Sequence, residues 1–98
     1  MIIVRDVFRL KFGKAKDVKA VMQDSKKLQT ESQQKNSRIL FDLVGPAYTM
    51  VLENSYASLT EYEKEMATLF NKPEWGAWYQ RFTPLVEQSY REIFTVME

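Results

Sequence analysis

Residues 2–12 read Ile-Ile-Val-Arg-Asp-Val-Phe-Arg-Leu-Lys-Phe, and their alternation decides the fold. Ile2, Val4, Phe8, Leu10 and Phe12 share one parity, while Arg5, Val7, Arg9 and Lys11 share the other. A period of two with one strongly apolar face is a strand laid over a core. Asp6 interrupts the apolar parity between Val4 and Phe8. It is therefore expected under whatever covers that face, where an unpaired carboxylate is costly. Gly13 ends the pattern.

Downstream, the spacing predicts one long amphipathic helix from Lys14 to about Gln34. Val18, Val21, Met22 and Leu28 form its apolar stripe, joined by Ser25 and Ser32, opposite Lys16, Lys19 and Lys26. Residues 38–44, Arg-Ile-Leu-Phe-Asp-Leu-Val, are β-rich and stop at the turn dipeptide Gly45-Pro46. Residues 47–54 resume with Tyr48, Met50 and Leu52 against Thr49, Val51 and Glu53, so the two segments read as a hairpin. Ser58-Leu-Thr-Glu61 is a capping-box pattern ahead of Leu59, Tyr62, Met66, Leu69 and Phe70 at helical spacing. A second helix start follows, with Asn71 as cap and Pro73 in the first turn, carrying Trp75, Trp78, Tyr79, Phe82 and Leu85. Thr83-Pro84 limits it. From about Glu87 to Met97 the chain alternates again, Tyr90, Phe94 and Val96 against Arg91, Ile93 and Met97, as a last strand.

The 98 residues, 45% apolar and 28% charged, suffice for one domain with a modest core. No apolar run reaches the ~20 residues of a membrane helix, and Met1-Ile-Ile-Val is read as a strand rather than an export signal. The chain has neither cysteine nor histidine. That excludes Cys/His zinc sites, disulfides, Ser-His-Asp and Cys-His nucleophiles and a histidine haem ligand, and fits a reducing cytoplasm. A net charge of +1 argues against nucleic-acid binding by bulk electrostatics. Residues 1–40 hold ten Lys/Arg against four Asp/Glu, and residues 41–98 hold four against nine. Lys14, Lys16, Lys19, Lys26 and Lys27 have no interleaved aromatics for bases to stack on, so they read as a solvated face complementary to acidic groups elsewhere.

The order β-α-β-β-α-β over residues 1–98 is the α+β, ferredoxin-like arrangement, an antiparallel sheet with helices on one face. The other face is expected to carry Ile39, Phe41, Leu43, Ile93 and Met97, too much apolar surface for a monomer. Sheet-to-sheet packing in a homodimer would bury it. With Phe12-Gly13-Lys14 after the first strand, Val44-Gly45-Pro46 between the middle strands and the late Trp-rich helix, the chain resembles the dimeric α+β barrel superfamily. Within it, the resemblance is to NIPSNAP-like small proteins, with antibiotic-biosynthesis monooxygenases as neighbours. The superfamily hosts oxygenases, ligand sensors and proteins without known activity, so the resemblance speaks to fold before function.

Trp75, Trp78, Tyr79 and Phe82, with Tyr62, Met66 and Tyr48, are expected to converge between helices and sheet. They either fill a core or line a cavity for a planar hydrophobic ligand; buried Trp and Tyr need partners for their polar tips. In the resembling monooxygenases the substrate lies in such a cavity. Asp6, if buried there, is a candidate general base, and otherwise an ion-pair member. Asp42 is expected to pair with a Lys or Arg at the dimer interface, and Glu53-Asn54-Ser55 to sit at a turn or a cavity mouth. No phosphate loop, dinucleotide fingerprint or EF-hand spacing occurs, so no cofactor and no metal are expected. Two functions follow. One is a cofactor-independent oxygenase acting on an aromatic or polyketide-like molecule, with Asp6, Tyr48 and Trp78 as catalytic candidates. The other is a non-catalytic, dimeric ligand-binding or interaction module.

Overall fold

A computed structural model describes residues 1–98, the side chain of Ser32 excepted, so the placement of Ser32 on the first helix's stripe lies outside the described residues. The elements are β1 (Ile2–Leu10), α1 (Ala15–Ser25), a 3-10 turn (Lys26–Leu28), α2 (Glu31–Lys35), β2 (Ser37–Phe41), β3 (Thr49–Tyr56), α3 (Leu59–Phe70), α4 (Pro73–Phe82), a second 3-10 turn (Thr83–Leu85) and β4 (Val86–Thr95). The sheet runs β2-β3-β1-β4 and every pair is antiparallel. This is the ferredoxin-like α+β arrangement. Among the described residues no helix is long and apolar enough to cross a membrane.

The core forms where β1 ends. Leu10, Met50, Val18, Val21, Met22 and Phe82 are all buried there, with Phe8, Ile39, Phe41, Trp78 and Val86 packed around them. Phe82 meets Phe8 edge-on at 5.1 Å and stacks on Trp78 at 5.0 Å. The Trp78 indole donates to the Val21 carbonyl at 2.8 Å, and Arg81 pairs with Asp24 at 2.8 Å, so α4 is tied to α1 twice. The Arg81 hydrogen bond holds the Asp24 carboxyl below its ordinary range.

Several expectations are corrected. The helix expected from Lys14 to Gln34 stops at Ser25, because apolar residues thin out after Met22. Gln29 is extended, and a new helix starts at a reciprocal capping box: Thr30 Oγ1 accepts from the Gln33 amide at 3.2 Å, and Gln33 Oε1 from the Thr30 amide at 2.8 Å. Asn71 closes α3 rather than capping α4; Lys72 is the residue before Pro73, and its extended backbone is what a following proline favours. Ser58 does cap α3, accepting from the Glu61 amide at 3.2 Å.

The hairpin strands are offset from expectation. β2 ends at Phe41, leaving Leu43 and Val44 fully exposed in the connection, and β3 continues to Tyr56. Asp42 closes the hairpin: its Oδ1 accepts from the Thr49 amide at 2.9 Å. Phe12 lies past the end of β1, exposed, with its ring 5.0 Å from Tyr48.

The largest correction concerns the sheet's faces. Ile39 pairs with Leu52, Phe41 with Met50, and Ile93 with Val4, all on the helix-facing side. Strand register rather than local pattern sets this parity. The outer face instead carries the cross-strand row Leu40–Val51–Val7–Tyr90, with Ile3 beside Phe94. Next to it runs a row of alternating charge, Arg38–Glu53–Arg5–Glu92. Glu53 pairs with both Arg38 and Arg5, and the buried Arg5 Nε has no hydrogen-bond partner among the described residues.

Met50, fully buried at the centre of the core, is the sharpest probe of this packing. Met50→Ala should lower the unfolding free energy by about 2–5 kcal/mol in urea denaturation. Leu40→Ala, on the exposed outer face, should cost the isolated chain under about 1 kcal/mol.

Candidate functional site

The helical layer touches the sheet at two ends and stands off between them. One end is the Leu10–Met50–Phe82 core. At the other, Tyr62 of α3 meets Tyr56 of β3, ring centres 5.1 Å apart. Between lies an open cavity of about 820 Å³, within the range of small-molecule sites.

Its floor is the helix-facing side of the sheet, including Asp6, Phe8, Leu52, Asn54 and Arg91. One wall is aromatic. Trp75 stacks on Tyr79 at 4.7 Å and 15°, and Phe70 leans on Trp75 at 4.7 Å; Pro73 starts α4 so that Trp75, Trp78, Tyr79 and Phe82 follow in sequence along it. The other wall comes from the broken helical segment and is rich in amides, with Gln29, Gln33 and Gln34. Gln34 Nε2 donates to the Lys26 carbonyl at 2.9 Å, which folds this segment back on itself. Lys72 donates to the Leu28 carbonyl at 2.9 Å and links it to α4.

The polar end of the floor is a cross-strand pair. Asp6 and Arg91 face each other in the register, and Arg91 Nε donates to Asp6 Oδ1 at 2.6 Å. The Arg91 guanidinium lies 5.8 Å from the Tyr62 ring centre. The Asp6 hydrogen bond outweighs burial and raises Arg91 above its ordinary value. Burial first, then the negative charge of Glu65, pushes the Tyr56 phenol far up. Burial also raises Tyr62, with Arg91 working against it. Tyr56 thus keeps its proton and can donate a hydrogen bond throughout the neutral range.

Of the residues expected from sequence, Met66, Trp75, Trp78, Tyr79, Phe82 and Asp6 line this cavity. Tyr48 does not: it begins the β3 end of the hairpin with a φ of 59°, beside Phe12. Tyr62 lies behind Tyr56 and Arg91 rather than on the lining. Asn54 and Ser55 reach the cavity edge, while Glu53 is on the opposite face. Sequence reasoning missed Arg91, Tyr56 and Glu65. Arg91 shares the parity of Ile93, so a correct face for β4 was the signal that would have found it. Among the described residues no cluster of acidic groups could hold a metal ion.

The NIPSNAP family model matches residues 5–98. Among curated proteins, none matches the chain. Among solved structures, a NIPSNAP family protein from Agrobacterium tumefaciens is similar at a TM-score of 0.89 and 20% identity, covering 99% of this chain and 93% of that one. A NIPSNAP domain protein from Burkholderia xenovorans aligns at 0.82 and 17%, covering 99% and 95%. A mutant of SnoaB, a cofactor-independent oxygenase from Streptomyces nogalater, aligns at 0.68 and 12%, covering 99% and 93%. At these identities the alignments establish the fold alone.

The raised phenols give a titration test. Of the five tyrosines, Tyr56 and Tyr62 should ionise late, above the ordinary tyrosine value of 10.0, in an alkaline titration followed by tyrosinate absorbance. Tyr56→Phe should remove the latest component. Because the unfolded chain releases these protons first, stability should fall as pH rises from about 10 upward.

Proposed function

The chain belongs to the NIPSNAP family, and from that premise we propose that it binds a planar aromatic, polyketide-like molecule and oxidises it with dioxygen without a cofactor. The observation that carries this reading is the cavity of about 820 Å³ with a stacked aromatic wall facing a hydrogen-bonding floor. Trp75, Tyr79 and Phe70 offer ring faces for a flat ligand, and the amides and hydroxyls opposite suit its oxygens. The fold shared with SnoaB supports the chemistry by likeness of scaffold.

The reaction asks little of the protein. An acidic CH₂ of the substrate loses a proton, and the carbanion passes one electron to dioxygen. The resulting radical pair joins as a peroxide anion, which takes back the proton to become a hydroperoxide and then loses water, so CH₂ and O₂ become C=O and H₂O. The protein must hold the ring and move one proton. Asp6, whose Oδ1 accepts from Arg91, is the floor carboxylate for that proton, and Trp78 shapes the wall beside it. Tyr48, outside the cavity, takes no part. The same proposal takes the cytoplasm as the compartment, which a cysteine-free chain fits.

We also propose that a second copy of the chain covers the outer sheet face. Its apolar row supports this, and the alternating charges beside it suit an isologous pairing. Light scattering should give twice the 11.6 kDa chain mass, and Val7→Asp should return the chain mass. A monomeric wild type sinks the pairing.

The activity is tested with dithranol, a tricyclic anthrone. The protein's two tryptophans both line the cavity, so their quenching reports binding directly. Metal-free and flavin-free protein should then accelerate oxygen uptake, and Asp6→Ala should slow it by about tenfold or more. Saturable quenching without turnover favours the non-catalytic binding module. No quenching by any flat aromatic sinks both readings.

A further inference from the structure

Resting on the aromatic-ligand reading, we propose that the cavity floor is an anion site in which Arg91 grips the acidic end of the ligand. The molecule it takes is an aromatic acid, a planar ring system carrying a carboxylate or an ionised 1,3-dicarbonyl. Both present two coplanar anionic oxygens, which a guanidinium matches with two parallel N–H donors.

Arg91 is placed for this by its neighbours. The cross-strand register sets it opposite Asp6, and the 2.6 Å bond uses only Nε. Neither Nη1 nor Nη2 makes a hydrogen bond among the described residues. The Tyr62 ring, 5.8 Å from the guanidinium carbon, supports the planar group from one side. An arginine held by both contacts loses less freedom on meeting a ligand than a free one. Tyr56, on the cavity edge beside it, adds a phenol donor.

Two of the three lining carboxylates are already paired. Asp6 is already matched by Arg91, and Glu87 on β4 pairs outward with Arg9 at 3.9 Å. Glu65 on α3 has no salt bridge among the described residues, which disfavours an anion on the helix side and leaves the β4 side to receive it. Lys26 stands on the far rim. A ligand lying in the cavity therefore meets aromatic rings from α3 and α4 and a cationic fork from β4, so its ring and its charge are sorted to opposite sides.

Two fluorescent probes of similar ring size separate the terms: 1-anilinonaphthalene-8-sulfonate, an aromatic anion, and N-phenyl-1-naphthylamine, its neutral counterpart. Both should bind the full-length wild type and compete with one another. Arg91→Gln should weaken the anionic probe by about tenfold or more and the neutral probe by less than about twofold. Asp6→Asn keeps an acceptor for Arg91 Nε and removes a competing negative charge, so it should tighten the anionic probe; near-UV circular dichroism verifies that both variants are folded. Equal weakening of both probes by the two variants would mean that the pair only props up the cavity, and it overturns the proposal. So does an anionic probe indifferent to Arg91→Gln. If neither probe binds the wild type, the aromatic-cavity reading itself has failed, which is a different result from a lost preference for charge.

Discussion

β1 is hydrogen-bonded along both edges, to β3 and to β4, from Ile2 through Arg9. Its alternation is therefore imposed on the whole sheet. Val4, Phe8 and Leu10 turn to the helices, and Arg5, Val7 and Arg9 turn away. A slip of one residue would bury two arginines and expose the core set, an exchange that desolvation of unpaired charge forbids. Everything placed on the sheet inherits this register, including the residues of the cavity.

The helices meet that sheet unevenly. Where large apolar residues come from both layers, as at Leu10, Met50 and Phe82, the layers close. Where β1 offers Asp6 and β4 offers Arg91, less apolar surface is left to draw a helix down, and the layers stay apart. The aromatic residues of α4 then divide. Phe82 and Trp78 join the core and border the cavity, while Trp75 and Tyr79 stack on each other on its wall. A filled core and a lined cavity, which are alternatives at the level of spacing, occupy adjacent faces of one helix.

The imbalance of charge along the chain also resolves in three dimensions. Arg5, Arg9 and Arg38 from the basic part find Glu53 and Glu87 from the acidic part across the sheet. The lysines flanking α1 have local partners, Lys14 with Asp17 and Lys27 with Asp24, in keeping with a solvated face. Exposed pairs of this kind contribute little to stability, so their weight lies in setting which surfaces suit one another.

Element order, the cap at Ser58, the helix start at Pro73 and the inward set of β1 are legible in the chain because each depends on near neighbours. The capping box at Thr30-Glu31-Ser32-Gln33 was equally local; the longer helical period around it hid the break. Other features depend on pairings across tens of residues. Arg91 and Asp6 are 85 positions apart, and nothing near either one reveals the other. The parity of Ile39, Phe41 and Ile93 waits on the register of β2 and β4, since period two alone cannot say which face is in. By itself the sequence determined a four-stranded sheet with helices on one side, because alternation, helical spacing and caps are short-range. Only the tertiary structure decided where the layers part, which side chains border the gap and which charge faces into it. Those follow from strand register and from how far apolar surface reaches across two layers.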